Sequence, residues 1–180
     1  MKNKNGFTLF ELLAVIAILS IILIIATTSI IKSINSSKEE TFITSYNNIV
    51  DEVSKKIIEK RTSNVQVECA DDTTNIDNSY DSLESCSQLY DISETDYDLY
   101  VLKFEGGYFV ILEGQGKFEN INLEKKYEEL ISKKIYPLRH DFGFDKKIEE
   151  NFSKNSLLTV VSLYGEIIDI TKDINLQNSN

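Results

Sequence analysis

The chain has 180 residues, 42% of them hydrophobic, and carries 19 Lys and Arg against 29 Asp and Glu, a formal net charge of −10. That balance argues against generic nucleic-acid binding, which relies on basic side chains neutralising phosphates. With two cysteines and a single histidine, His140, a Cys/His metal centre is short of ligands.

The first element is an apolar run. Leu12 to Ile31 is twenty residues without a charge, and only Ser20, Thr27, Thr28 and Ser29 in it are polar. As a helix it spans about 30 Å, the hydrocarbon thickness of a bilayer. A lone segment in lipid must satisfy its own backbone hydrogen bonds, so the run is expected to be helical. Glu11 lies within the wider apolar stretch that opens at Phe7, and a carboxylate there costs about 2.5–3.5 kcal/mol on the lenient insertion scale. Something has to offset it.

No Pro or Gly interrupts Phe7 to Arg61. After the polar stretch 32–40, Phe42, Tyr46, Ile49, Val50, Val53 and Ile57 recur at helical spacing, with Asp51, Glu52, Lys55, Lys56 and Glu59 on the other faces. This half of the helix is expected to dock on a domain.

Residues 62–96 read as a long polar loop with a short helix near 82–89. The stretch from Glu68 to Asp98 carries ten acidic residues and no Lys or Arg. Such a block is a solvated face in the simplest reading. Calcium suits carboxylate oxygens, but no EF-hand spacing occurs. A hairpin follows, 98–104 and 108–112 around Glu105-Gly106-Gly107, then a short strand near 117–121. Leu123, Tyr127, Leu130 and Ile131 share one helical face, with Pro137 closing that segment. Phe142, Phe144 and Phe152 read as core anchors. A second hairpin pairs 157–163 with 166–170 around Tyr164-Gly165, and 173–180 is a polar tail. No P-loop, dinucleotide fingerprint, HExxH or GxSxG occurs, so no enzyme, catalytic residue or cofactor is expected.

Gly6-Phe7-Thr8-Leu9, then Glu11-Leu12-Leu13 and an unbroken apolar helix, resembles the N-terminus of a type IV prepilin or pseudopilin. The resemblance covers about 25 of the 180 residues. It implies that a membrane peptidase cuts between Gly6 and Phe7 and N-methylates Phe7. It also implies that Glu11, the fifth mature position, meets a neighbouring subunit's N-terminal amine during assembly. Many members have a helix-loosening glycine and proline further along, where this chain has Ser20 and Thr28. An ordinary secretory signal would fit Lys2 and Lys4, but Ala26-Thr27-Thr28 is a poor cleavage site. A plain signal anchor leaves Glu11 unexplained.

The implied organisation is a leader (1–6), a transmembrane and assembly segment (7–31), the amphipathic half of a stem helix (32–62) and a head (63–180). The head divides into an acidic cysteine loop (63–97), a sheet region (98–172) and the tail. The implied fold class is α+β, a long N-terminal helix packed on a small antiparallel sheet. The implied partners are other copies and other pilins, the peptidase, an assembly platform and a motor ATPase. The subunit would span the cell membrane once and then enter an extracellular filament serving adhesion, motility, DNA uptake or secretion. If the head is exported, Cys69 and Cys86 read as one disulfide, two free thiols being the alternative. Two other roles remain: a pseudopilin of a secretion or competence machine, and a membrane-anchored extracellular binding protein that never polymerises.

Overall fold

The computed structural model describes residues 8–69, 85–104, 106–138, 152–153 and 155–170. Gly6, Phe7, five of the ten acidic residues of the acidic block, His140, Phe142, Phe144 and the tail lie outside the described residues. Helix α1 runs Leu9–Lys60 without a break, as expected of a stretch lacking Pro and Gly. The chain divides into two compact units, Met1–Ser37 and Lys38–Asn180, and α1 contributes to both.

In the second unit α1 buries Phe42, Ile43, Tyr46, Ile49, Val50, Val53 and Ile57. The stripe therefore faces a core, as its spacing requires. The core's other wall is an antiparallel sheet. Strands β1 (Tyr97–Phe104) and β2 (Gly107–Gly114) form the first hairpin. Helix α2 (Tyr127–Ser132) leads to β3 (Tyr136–Pro137), followed by β4 (Ser156–Ser162) and β5 (Ile167–Ile168). The order is β1-β2-β4-β3, with β5 also on β4. β3 pairs Leu157 and Leu158, and β5 pairs Val160 and Val161. The result is the α+β, pilin-like arrangement of a long apolar N-terminal helix and a small antiparallel sheet.

Both faces of the sheet are apolar. Leu99, Val101, Val110, Leu112, Leu157 and Val161 join the helix stripe in one cluster. Leu102, Ile111, Leu158 and Val160 form a second cluster with Tyr136, Leu138 and Ile170. Phe152 packs on this second cluster, its ring 5.1 Å from that of Tyr100. Of the three phenylalanines expected to anchor the core, it is the one among the described residues.

Four expectations need correction. The strand near 117–121 is a 3-10 turn, Gly116–Phe118. Gly116 (φ +47°) turns the chain there, and the Asn155 amide donates to the carbonyls of Gly114 and Phe118, so no ladder forms. The helix begun at Leu123 is a 3-10 turn (Glu124–Lys126) and only six residues of α2. Pro137 does more than close that segment. It sits in β3, an outer strand, where its missing N–H costs nothing. The described part of the expected helix near 82–89 forms turns over 87–91.

Candidate functional site

In the first unit the described apolar side chains are open to the surroundings. From Leu9 (80% exposed) through Ile24 (69%) to Ile34, every large apolar side chain of α1 is exposed. The helix is long and apolar enough to cross a membrane. Three of its four polar side chains between Leu12 and Ile31 are satisfied locally. The Ser20 hydroxyl donates to the Ile16 carbonyl (2.7 Å), Thr27 to Leu23 (2.7 Å) and Thr28 to Ile25 (3.0 Å). These back-bonds keep the Ser20, Thr27 and Thr28 hydroxyls paired in an apolar medium. At Ser20 and Thr28 the helix continues, so neither residue loosens it.

Glu11 is paired as well. The Thr8 N–H donates to Glu11 Oε2 (2.9 Å), the Thr8 hydroxyl donates to the same oxygen (2.9 Å), and the Glu11 N–H donates to Thr8 Oγ1 (3.3 Å). With Leu9 the first helical residue, Thr8 is the N-cap and Glu11 the third position, the reciprocal geometry of a capping box. Orphan donors at the helix start are thereby satisfied, and the carboxylate sits where the helix dipole favours an anion. This offsets part of the cost of Glu11. The Thr8-x-x-Glu11 spacing just before an apolar run is the sequence signature of such a capping box.

Residues 1–27 match the family model described as the prokaryotic N-terminal methylation motif. The chain carries the type IV prepilin/pseudopilin signature. No curated protein and no solved structure matches the chain. A prepilin signature implies processing by the prepilin peptidase and pilin assembly in general. The apolar helix fits membrane anchoring before assembly. Gly6 and Phe7, the positions that the signature assigns to cleavage and methylation, lie outside the described residues.

Within the head two further features bear on the site. Cys69 and Cys86 are bridged, with Cα atoms 5.5 Å apart. The bridge holds 85–87 along the outer edge of β1. The Cys86 N–H donates to the Leu99 carbonyl (2.6 Å), the Ser87 hydroxyl to that of Tyr97 (3.2 Å), and the Leu99 N–H reaches Ser85 Oγ (3.3 Å). An edge that could template strand addition is thus partly covered. Among the described residues no group of three His, Cys, Asp or Glu is placed to hold a metal ion.

The second feature lies at the C-terminal end of α1. Lys60, Arg61, Lys103, Tyr108 and Tyr164 surround an open notch of about 280 Å³. Lys60 is paired with Glu68 (2.5 Å). Burial pulls the Lys60 ammonium down, but Glu68 beside it wins and holds it above the usual lysine range. Burial, the largest single cause, pushes Glu68 up, but the Lys60 hydrogen bond, a backbone hydrogen bond and the charges of Lys60 and Lys103 together outweigh it, so the carboxyl ends below its usual range. Arg61 instead lies over the Tyr164 ring at 4.8 Å. The turn that carries Tyr164 requires Gly165: φ is +81°, and a Cβ there would meet Ile58 Cγ1 at 2.8 Å and the Ser54 carbonyl at 3.0 Å.

Proposed function

We propose that the chain is a structural, non-catalytic subunit of a type IV pilus that polymerises through α1 once the leader is cut. The observation that carries this is the exposure of apolar side chains all round α1 from Leu9 to Ile34, behind a capped carboxylate. In the membrane lipid covers that surface. On leaving it, the helices of neighbouring subunits must cover it instead, at about 25 cal/mol per Å². Phe7 then starts the mature chain, and its amine becomes a charge that needs a carboxylate. Glu11 of an adjacent copy supplies one only when the helices are in register, so wrong staggers leave a charge unpaired in a low dielectric.

Two measurements test this. Mass spectrometry of the filament fraction should find an N-terminal peptide that begins with methylated Phe7, whereas a terminus near Thr28 would point to secretory processing. Electron microscopy with head-directed labels should decorate filaments along their length. Label confined to a tip would make the chain a minor component. Cleaved protein that stays in the membrane, with no filament or short pseudopilus bearing it, would sink the polymerisation reading and leave an anchored binding protein.

A further inference from the structure

The sign of the charge is reversed around the notch at the end of α1. Lys60, Arg61 and Lys103 line one cavity of about 280 Å³, so these three cations share a surface. Glu68 is paired with Lys60 (2.5 Å), and the Lys103 charge also acts on that carboxyl. Arg61 and Lys103 are exposed and enter no ion pair among the described residues, in a chain of net charge −10. Cations at a helix C-terminus complement its dipole, which accounts for Lys60 and Arg61 but not for Lys103 on β1.

The wall beside these cations is apolar and open. Leu163 and Tyr164 line the notch, and Ile58 backs the Gly165 turn that carries them. Among the described residues of the Lys38–Asn180 unit these three are the exposed large hydrophobics. Arg61 lies over the Tyr164 ring at 4.8 Å, yet the residue stays 65% exposed, so ring surface remains for a ligand. An aromatic and arginine centre is the composition of a binding surface rather than of a solvated face.

We propose that the notch binds a sugar acid, a single saccharide ring that carries one carboxylate. Arg61 and Lys103 supply charge-assisted donors to the carboxylate. The C–H face of the ring packs on Tyr164 and Leu163, an aromatic platform with apolar area to cover. The Lys60–Glu68 pair sets a donor and an acceptor side by side, which suits neighbouring hydroxyls. A sugar-acid ring occupies about 200 Å³ at protein packing density, so the notch admits one ring and not two. A polyanion is disfavoured, because charges beyond the first would meet a chain whose net charge is negative. The ligand is therefore a free unit or the end of a longer saccharide. This binding needs no polymerisation and is a property of the single subunit.

The test is titration of the detergent-solubilised full chain, read by NMR on labelled tyrosine rings. Methyl glucuronide should bind with a Kd of about 1 mM and shift the Tyr164 signals. Methyl glucoside lacks the carboxylate, and acetyl-glutamate amide, standing for an acidic protein partner, lacks the ring and its hydroxyls. Each should bind about ten-fold more weakly or worse. Arg61→Gln and Tyr164→Ala, both at exposed positions, should weaken methyl glucuronide about ten-fold at unchanged melting. Tyr164→Phe keeps the ring and should bind like the parent, as should Lys55→Gln on the exposed face of α1. No binding by about 50 mM, or shifts confined to other tyrosines, would overturn the site. Equal binding of the glucoside or of the glutamate amide would overturn the ligand class, as a neutral-sugar or an acidic-protein contact respectively. Parental binding by Arg61→Gln would overturn the role of the cations. None of these outcomes bears on polymerisation, which the cleavage and labelling experiments decide separately.

Discussion

Removing the disulfide should loosen the β1 edge before it unfolds the head. Cys69 and Cys86 are seventeen positions apart, and closing a loop of about 18 residues contributes about 3 kcal/mol in the chain-entropy model. For a unit of about 140 residues that is a fall in melting temperature of about 10 °C. The structure adds a location to the magnitude. Segment 85–87 is the strip that meets Tyr97 and Leu99 on the outer side of β1, while Tyr100 pairs inward with Ile111 of β2. The local opening should therefore appear first at the Leu99 amide, where exchange rises up to about 100-fold, with Tyr100 changing less. The assay is hydrogen exchange and melting of the detergent-solubilised full chain, comparing the parent with Cys69→Ala/Cys86→Ala. Mild reduction of the parent serves as a control that leaves the side-chain volume unaltered. Melting within about 2 °C of the parent, with Leu99 as protected as before, would refute the idea that the bridge secures this edge. Two reactive thiols in the unfolded, unreduced parent would refute the bridge itself.

Three further outcomes follow from the same geometry. Glu11→Gln keeps a capping side chain at the third helical position but removes the charge. It should insert and be cleaved like the parent yet enter filaments poorly, as should Glu11→Leu; parental filament yield from Glu11→Gln would reduce Glu11 to a helix cap. Val53 is fully buried, so Val53→Asp places an unpaired charge in the core and should cost at least about 3 kcal/mol, whereas Lys55→Asp on the exposed face should change stability by about 0.5 kcal/mol or less. Melting of both variants decides it, and comparable losses would contradict the packing. The Lys60–Glu68 pair is partly exposed and should contribute about 0.5–1 kcal/mol at neutral pH. Because Glu68 is lowered in the fold, its share is present above the unfolded carboxyl value, about 4.3, and lost as pH falls through the folded one. Because Lys60 is raised, its share is present below about 10.4 and lost as pH rises through its folded value. Lys60→Met should therefore melt below the parent at pH 7 and match it at pH 2.5; an equal gap at both would remove the ion pair as the cause.

What could be read in the chain, and what could not, divides along physical lines. The stripe from Phe42 to Ile57 was legible because one helical face is buried against a core and the other is wet, which leaves a 3.6-residue rhythm. The hairpin at Gly106-Gly107 was legible because turn chemistry is local. β3 was not: two residues including a proline carry no strand signal, and they pair only because β4 offers them a free edge. The notch was invisible too, since Arg61, Lys103 and Tyr164 meet only when the Gly165 turn closes against Ile58. Nor did the strands say which face met the helix. β2 and β4 are apolar on both faces, so a slip of one residue would exchange two almost equally hydrophobic sets. Register must then come from shape and hydrogen bonding. Gly107 pairs with Ser162 where a Cβ would lie 2.2 Å from the Val161 carbonyl, a separation that only glycine permits. At the opposite end of β2 the buried Asn155 amide holds the Gly114 carbonyl at 2.6 Å. With one end set by a missing side chain and the other by a satisfied polar one, the β2–β4 pairing is pinned where hydrophobicity alone would let it slide. That pairing carries the β4–β5 turn to the end of α1, and so places Tyr164 over Arg61.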